Sequence, residues 1–277
     1  MPIRLRRRRH ERRACPANPH PLSLARRKSG LPDLRSILRG REGWGLFAKK
    51  DMLKQRMRGI CAVVPVKETV KAKERLAPTI NAAHRQQLAC AMLEDVLAAL
   101  AATAELVAIL VVTVDPAAAL IAARYGARVA AKRAAEGHTA AVACAAAQLA
   151  AKRLGMLTVP ADIPLVQRED IRELLGAHRS SIDIDAGGRA FTIVPAHDQR
   201  GSNAVACSPA DAVALRFGED SFFPHLAVAK ENGIEPVVLR LPRIARDIDT
   251  PEDLAALIAA GPSTTRTFEL LARWRLF

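Results

Sequence analysis

The most constraining feature of this sequence is an alternation of short apolar runs and longer helical patterns, beginning at residue 60. "ICAVVPV" (60–66) and "LVAILVVTV" (106–114) are continuous apolar runs, as expected of strands covered on both faces. Between them, Leu88, Met92, Val96 and Leu100 recur at helical spacing over 82–101. The pattern continues with a short helix opened by Asp115-Pro116 and a weaker strand at 127–131. An alanine-rich helix at 139–155, stopped by Gly155, leads to a strand at 156–160 and a helix at 167–178. A strand pair near 182–185 and 190–195, turning at Gly187-Gly188, comes next. A strand at 204–207, a helix at 219–231, a strand at 236–241 and a helix at 251–259 close the pattern. Such alternation predicts an α/β fold with a mostly parallel sheet and helices on both faces. Ligands of such sheets sit at the carboxyl ends of the strands, so the loops there are the places to look for chemistry.

Charge divides the chain differently. The formal net charge is +14. Residues 1–58 hold 18 Lys and Arg against 4 Asp and Glu, while residues 59–277 hold 24 of each. The arginine-rich start ("RLRRRRHERR") lacks the apolar segment of a secretory signal. It reads either as a nucleic-acid-binding arm or as a disordered or accidental extension, and composition favours the second. Met52 and Met57 then stand as alternative starts. The domain is expected over 59–260, and 261–277 reads as a tail of uncertain order. No apolar run is long enough for a bilayer. The five cysteines are scattered without a Cys-x-x-Cys pair, which disfavours zinc and suits reduced thiols in the cytoplasm.

Four clusters fall at strand ends. After the first strand come Lys67, Lys71, Lys73 and Arg75 in "VKETVKAKERLAP", a glycine-free loop whose cations suit a polyphosphate. "TVPADIPLV" holds Asp162 between Pro160 and Pro164, a stiffened carboxylate of the kind a magnesium ion uses. In "RDIDTPEDL", Asp247 and Asp249 point to one side of an extended segment and Ile248 to the other, before a helix capped by Thr250-Pro251. With Asp162, this pair is a candidate site for one or two magnesium ions. The fourth cluster is "RGSNAVACSPADAVALRFGEDSFFPH". It brings Gly201, Ser202 and Asn203 before a strand, and Gly218 and Ser221 to the start of a helix, a candidate anion site. His84, His138, His178, His197 and His225 show no ligand spacing and read as structural or peripheral, His225 lying nearest a candidate site.

With these residues in order, the chain resembles the 2-phospho-L-lactate guanylyltransferases of coenzyme F-420 biosynthesis, within the nucleotidyltransferase superfamily. The resemblance covers roughly residues 60–260. It rests on "VVPVK…AKERLA", "DIPLV", "RGSNAV", "FGEDSFFPH" and "DIDTPEDL" occurring in that sequence. It implies a three-layer Rossmann-like domain acting on GTP and a small phospho-acid (2-phospho-L-lactate, phosphoenolpyruvate or 3-phospho-D-glycerate), with magnesium. Lys67, Lys73 and Arg75 match the loop that handles the triphosphate. Asp162, Asp247 and Asp249 match the metal carboxylates, and Asn203, Gly218 and Ser221 match the acceptor pocket. Two positions depart from the family: Ala161 stands where glycine is common, and Thr139 where asparagine often lies beside the base. No membrane partner is implied, nucleic acid is disfavoured, and a homodimer stays open. The alternatives are a molybdopterin-type nucleotidyltransferase, against which the missing glycine-rich loop stands, and a non-catalytic nucleic-acid binder using the basic arm.

Overall fold

The computed structural model describes residues 59–275 except 186, 219 and 262. The readings made for residues 1–58 lie outside the described residues. Among the described residues seven strands form one sheet: β1 (Ile60–Pro65), β2 (Leu106–Val112), β3 (Arg128–Ala130), β4 (Gly155–Thr158), β5 (Ala190–Pro195), β6 (Ser202–Ser208) and β7 (Pro236–Val238). Their spatial order is β3-β2-β1-β4-β6-β5-β7. All pairings are parallel except those of β6, which runs antiparallel to both β4 and β5. The helices are α1 (Ala82–Ala101), α2 (Pro116–Arg124), α3 (His138–Ala150), α4 (Arg168–Ile184), α5 (Phe222–Glu231), α6 (Pro251–Ala259) and α7 (Arg266–Arg273).

The period of two along β1 divides the core between the sheet's faces. Ala62 and Val64 meet Leu93 and Val96 of α1, Ile121 of α2 and Leu174 of α4 on one face. Cys61 and Val63 meet Val142, Ala145 and Leu149 of α3 on the other, and Cys207 and Ile193 meet Phe222 and Ala229 of α5. This is the three-layer arrangement expected. The stripe Leu88, Met92, Val96 and Leu100 is buried as read. Among the described residues no helix is long and apolar enough to cross a membrane.

Several boundaries differ from the sequence reading, each for a visible reason. No strand forms at 182–185, because α4 runs on to Ile184 and Gly187-Gly188 turns helix into strand instead. That turn is built on Asp185, whose Oδ2 accepts the Gly187 and Arg189 N–H groups at 2.8 and 2.9 Å. β5 finds its partners in β6 and β7 rather than in its own hairpin. Gly155 does not stop α3, which ends at Ala150; it opens β4. A Cβ there would lie 2.7 Å from Ser208 Oγ and 3.1 Å from the Cys207 carbonyl, so close strand approach explains the glycine.

The tail carries α7, whose Phe268, Leu270 and Leu271 join Leu88, Ala91 and Met92 of α1 in one cluster. Its start is tied to α1 by Asp95, which accepts hydrogen bonds from the Arg266 and Thr267 N–H groups and the Thr267 hydroxyl.

The topology decides where the clusters meet. β2 lies on one side of β1 and β4 on the other, so the loops after β1 and β4 emerge side by side at the carboxyl edge. Because β6 is antiparallel, it is its beginning, Ser202 and Asn203, that reaches this edge, with Ser202 paired to Pro195 at the end of β5.

Candidate active site

A cleft of ≈ 1470 Å³ opens over this edge, lined by residues from all four clusters. Its first wall is the loop 67–76. Thr69 anchors it: its N–H and hydroxyl both donate to Asp115 Oδ2, at 2.6 and 2.8 Å. Asp115 also caps α2 through the Ala118 N–H at 2.9 Å. Leu76 anchors the other end, fully buried against Ile80 and Leu88. Between these anchors Lys73 takes a left-handed conformation (φ 56) between two short 3-10 turns. A long side chain rarely adopts it, so strong contacts must hold it there.

Those contacts are ionic. Lys73 Nζ donates to Asp162 Oδ2 at 2.6 Å and to Asp249 Oδ1 at 2.5 Å. Burial opposes the ammonium charge, but the two carboxylates outweigh it and raise its pKa. Sequence reasoning placed Lys73 with the cations facing a triphosphate; its ammonium instead sits between two of the candidate metal carboxylates. Lys67 and Arg75 are exposed on the cleft, where their charges help hold the Asp249 carboxyl down. Burial works against that lowering, and Lys73 contributes most to it.

Asp162, Asp247 and Asp249 come together as expected. Each offers an oxygen within 4.8 Å of the others, and among the described residues they are the one such group of His, Cys, Asp or Glu. The Ile248 N–H donates to the Asp162 carbonyl at 3.0 Å, joining the two acidic segments. Ile248 itself is buried beside Leu254 and Leu257, so its neighbours face the cleft. Burial first, and then the Asp162 charge, raise the Asp247 carboxyl above its usual range. Asp162 Oδ1 is buried with no hydrogen-bond partner among the described residues. A crowded carboxylate group with an unsatisfied oxygen fits a hard divalent cation.

Asn203 is less free than the sequence reading assumed. Its Nδ2 donates to the Ile244 carbonyl at 3.0 Å and to Asp247 Oδ1 at 3.1 Å, so it orients an acidic residue. Gly218 has φ 145, a conformation that side chains resist, with open space around its Cβ position. Backbone conformation, not crowding, therefore calls for glycine. Ser221 precedes α5 and lines the cleft, its hydroxyl donating to Ser202 Oγ at 3.2 Å. The start of α5 offers fewer backbone donors than expected. The Phe222 N–H is taken by the Arg200 carbonyl at 2.9 Å, and Pro224 has none. Thr139 lines the cleft, but its hydroxyl is engaged by the Phe217 N–H at 3.0 Å.

Two contributors, Asp115 and His138, are not visible as such to sequence reasoning, and a third, His225, is placed near the site without a role. Asp115 was legible only as a helix cap, because its bond to Thr69 spans 46 positions. His138 stacks on Phe217 with ring centroids 4.3 Å apart, and its buried Nε2 has no partner among the described residues. Burial pushes its pKa down to about 4. His225 has the same low value for the same reason and bridges Ser202 and the Arg216 N–H.

Comparison with known proteins places the chain among its relatives. Residues 60–276 match the family model described as "Guanylyl transferase CofC like". The chain is 37% identical over 196 residues to the phosphoenolpyruvate guanylyltransferase of Roseiflexus castenholzii, covering 71% of this chain and 86% of that protein. It is 31% identical over 204 residues to the 2-phospho-L-lactate guanylyltransferase of Methanothermobacter thermautotrophicus, covering 74% and 86%. Among solved structures, one from Desulfovibrio desulfuricans, provisionally named a nucleotide-diphospho-sugar transferase, superposes with a TM-score of 0.61. Its identity is 18%, over 77% of this chain and 94% of that one, a likeness of fold. With the family model covering the described domain and its relatives sharing a third of their residues with it, the chain belongs to the CofC-like guanylyl transferase family.

Proposed function

We propose that this protein transfers the guanylyl group of GTP to the phosphate of a small phospho-acid. The observation that carries the reading is the arrangement of the cleft. Three carboxylates, one with a buried oxygen unsatisfied among the described residues, lie beside the exposed Lys67 and Arg75, and a pair of serine hydroxyls lines the same cleft. An oxygen of the acceptor phosphate attacks the α-phosphorus of GTP, the bond from that phosphorus to the β-phosphate oxygen breaks, and pyrophosphate leaves.

A phosphate oxygen is ionised at neutral pH, so the attack needs no general base. His138 and His225, held near 4, are neutral there and are not required as proton carriers. Catalysis is then positioning and charge compensation. Asp162, Asp247 and Asp249 would hold magnesium, which when bound supplies positive charge against the phosphates. Lys67 and Arg75 would face the triphosphate and the departing pyrophosphate. Ser221, with Gly218 beside it, would meet the acceptor. The names of the relatives favour phosphoenolpyruvate or 2-phospho-L-lactate as that acceptor, with 3-phospho-D-glycerate as the third member of the chemical class. The family resemblance favours coenzyme F-420 biosynthesis as the setting, and the scattered cysteines favour the cytoplasm.

The test is incubation with GTP and each phospho-acid in turn, reading pyrophosphate release with and without magnesium. Release that needs both the metal and one phospho-acid supports the proposal; no release with any of the three sinks it. Within that assay, Ser221→Ala is expected to raise KM for the phospho-acid about ten- to a hundredfold, the effect of one hydrogen bond to a charged group. KM for GTP should stay nearly unchanged. The opposite pattern would mean that the two pockets are assigned the wrong way round.

A further inference from the structure

His225 has no part in the transfer described above, yet it is 1% exposed and touches both halves of the acceptor wall. Nδ1 lies 3.0 Å from Ser202 Oγ, and Nε2 lies 2.9 Å from the Arg216 backbone nitrogen. The ring meets Phe217 edge-on at 5.4 Å. A backbone N–H can only donate, so Nε2 must present its lone pair. Burial pushes the imidazole to about 4 and keeps it neutral at pH 7. The single ring proton is therefore on Nδ1 and is donated to Ser202 Oγ.

A count of hydrogens gives this tautomer its consequence. His225 Nδ1, Ser202 Oγ and Ser221 Oγ form a chain with two contacts, His225 to Ser202 and Ser202 to Ser221. Three hydrogens serve those two contacts, because the ring supplies one and each hydroxyl supplies one. One hydroxyl hydrogen is left over whichever way the serines rotate. Neither serine makes another side-chain hydrogen bond among the described residues, and both line the cleft. With the proton on Nε2 instead, the two contacts would consume both hydroxyl hydrogens. The cleft would then meet only lone pairs, which repel an anion.

We infer that His225 is a positioning residue: locked by the Arg216 N–H in its Nδ1–H form, it turns one serine hydroxyl outward as a donor to the anionic acceptor. This rests on the reading of the Ser202–Ser221 wall as the acceptor's side of the cleft. The chemical class so recognised is an anionic group of the acceptor, a carboxylate or a phosphate. It also explains why a buried histidine, rather than an apolar ring of similar volume, stands at this position.

The experiment compares the full chain with His225→Phe and His225→Gln in the pyrophosphate assay, with thermal melts alongside. Gln can accept from the Arg216 N–H through its oxygen and donate to Ser202 through its amide, so it is expected to hold KM for the phospho-acid within about threefold of wild type. Phe keeps the ring and loses both functions. It is expected to raise KM for the phospho-acid about tenfold, with KM for GTP unchanged. Equal effects of Phe and Gln on the acceptor constant, or a parallel rise for both substrates, would overturn the inference and leave His225 a packing residue. Should the Phe variant not fold, the imidazole 15N resonances of wild type, assigned by their loss in His225→Gln, decide the matter. A proton on Nδ1 is expected, and one on Nε2 overturns the inference. Wild type that shows this tautomer but turns over no phospho-acid would instead count against the proposed acceptor, and the substrate half of the inference would fall with it.

Discussion

Asp95 and Asp162 are both largely withdrawn from water, and they differ in what their oxygens do. Asp95 Oδ1 accepts the Arg266 N–H at 2.6 Å, while Oδ2 accepts the Thr267 N–H at 3.0 Å and the Thr267 hydroxyl at 2.6 Å. It sits at the positive end of α7 with both oxygens engaged, so the helix start also has its donors answered. Asp162 gives Oδ2 to Lys73 and leaves Oδ1 buried without a partner among the described residues, beside two further carboxylates. A buried carboxylate whose every oxygen is met by a donor is a structural joint. One left unsatisfied among like charges is unfavourable for the fold and marks a candidate ligand site.

The largest expected break in this comparison is Asp162→Asn. If Asp162 holds a metal ion, turnover should fall a hundredfold or more, several kcal/mol of transition-state stabilisation, while the melting temperature changes little. Near-normal pyrophosphate release at saturating magnesium would remove Asp162 from the metal site and with it the distinction from Asp95.

Asp95→Ala should behave in reverse. It removes one of two acceptors at the start of α7, the Thr265 hydroxyl remaining, and leaves two N–H groups and a hydroxyl to find other partners. The cost is about 2–4 kcal/mol by the usual values for a lost cap and unmet buried donors. That corresponds to a fall of roughly 5–15 °C in Tm for a domain of this size. Activity per folded molecule should be retained. A variant that melts as wild type does would show that α7 is held by Phe268 and Leu271 alone.

The smallest expected effect sharpens the contrast with a third buried titratable group. His178 is held between Thr192 Oγ1 at 2.9 Å and Ser208 Oγ at 2.8 Å. Burial first, and the Arg179 charge second, push its pKa from 6.5 to about 4. The unfolded chain therefore takes up this proton before the folded one does. The stability that neutral His178 contributes is complete above pH 6.5 and is lost as the pH falls towards 4. The melting temperature should decline across that window, and His178→Gln, which cannot titrate, should make the decline shallower. An unchanged slope in the variant would mean that His178 does not report on acid stability.

Much of the fold and the site was legible because both rest on local rules. "ICAVVPV" reads as a buried strand since a parallel strand covered on both faces admits almost nothing polar. "DIDTPEDL" displays its acidic pair because alternation in an extended segment is a property of the backbone, and its helix start is a capping box of Thr250 and Asp253. The failures share a cause too. α4 outran its pattern because its last turns are polar and exposed on one side, and "SSID" carries no helical periodicity of its own. α7 is not legible in the sequence because its short apolar stripe, Phe268, Leu270 and Leu271, has meaning only against α1.

The sequence by itself determined the strand–helix order, the three acidic positions at strand ends and the cationic loop, since each depends on neighbours within a few residues. Which of those cations serves which partner was decided only by tertiary structure. Sheet order puts the loops after β1 and β4 side by side, and that adjacency draws Lys73 onto Asp162 and Asp249, 89 and 176 positions away, while Lys67 and Arg75 remain at the cleft's surface. The roles of Asn203 and His225 were decided in the same way. Hydrogen bonds to Asp247 and to the Arg216 N–H are set by an antiparallel β6 and the loop folded over it, and no spacing along the chain encodes a contact made by the closing of a sheet.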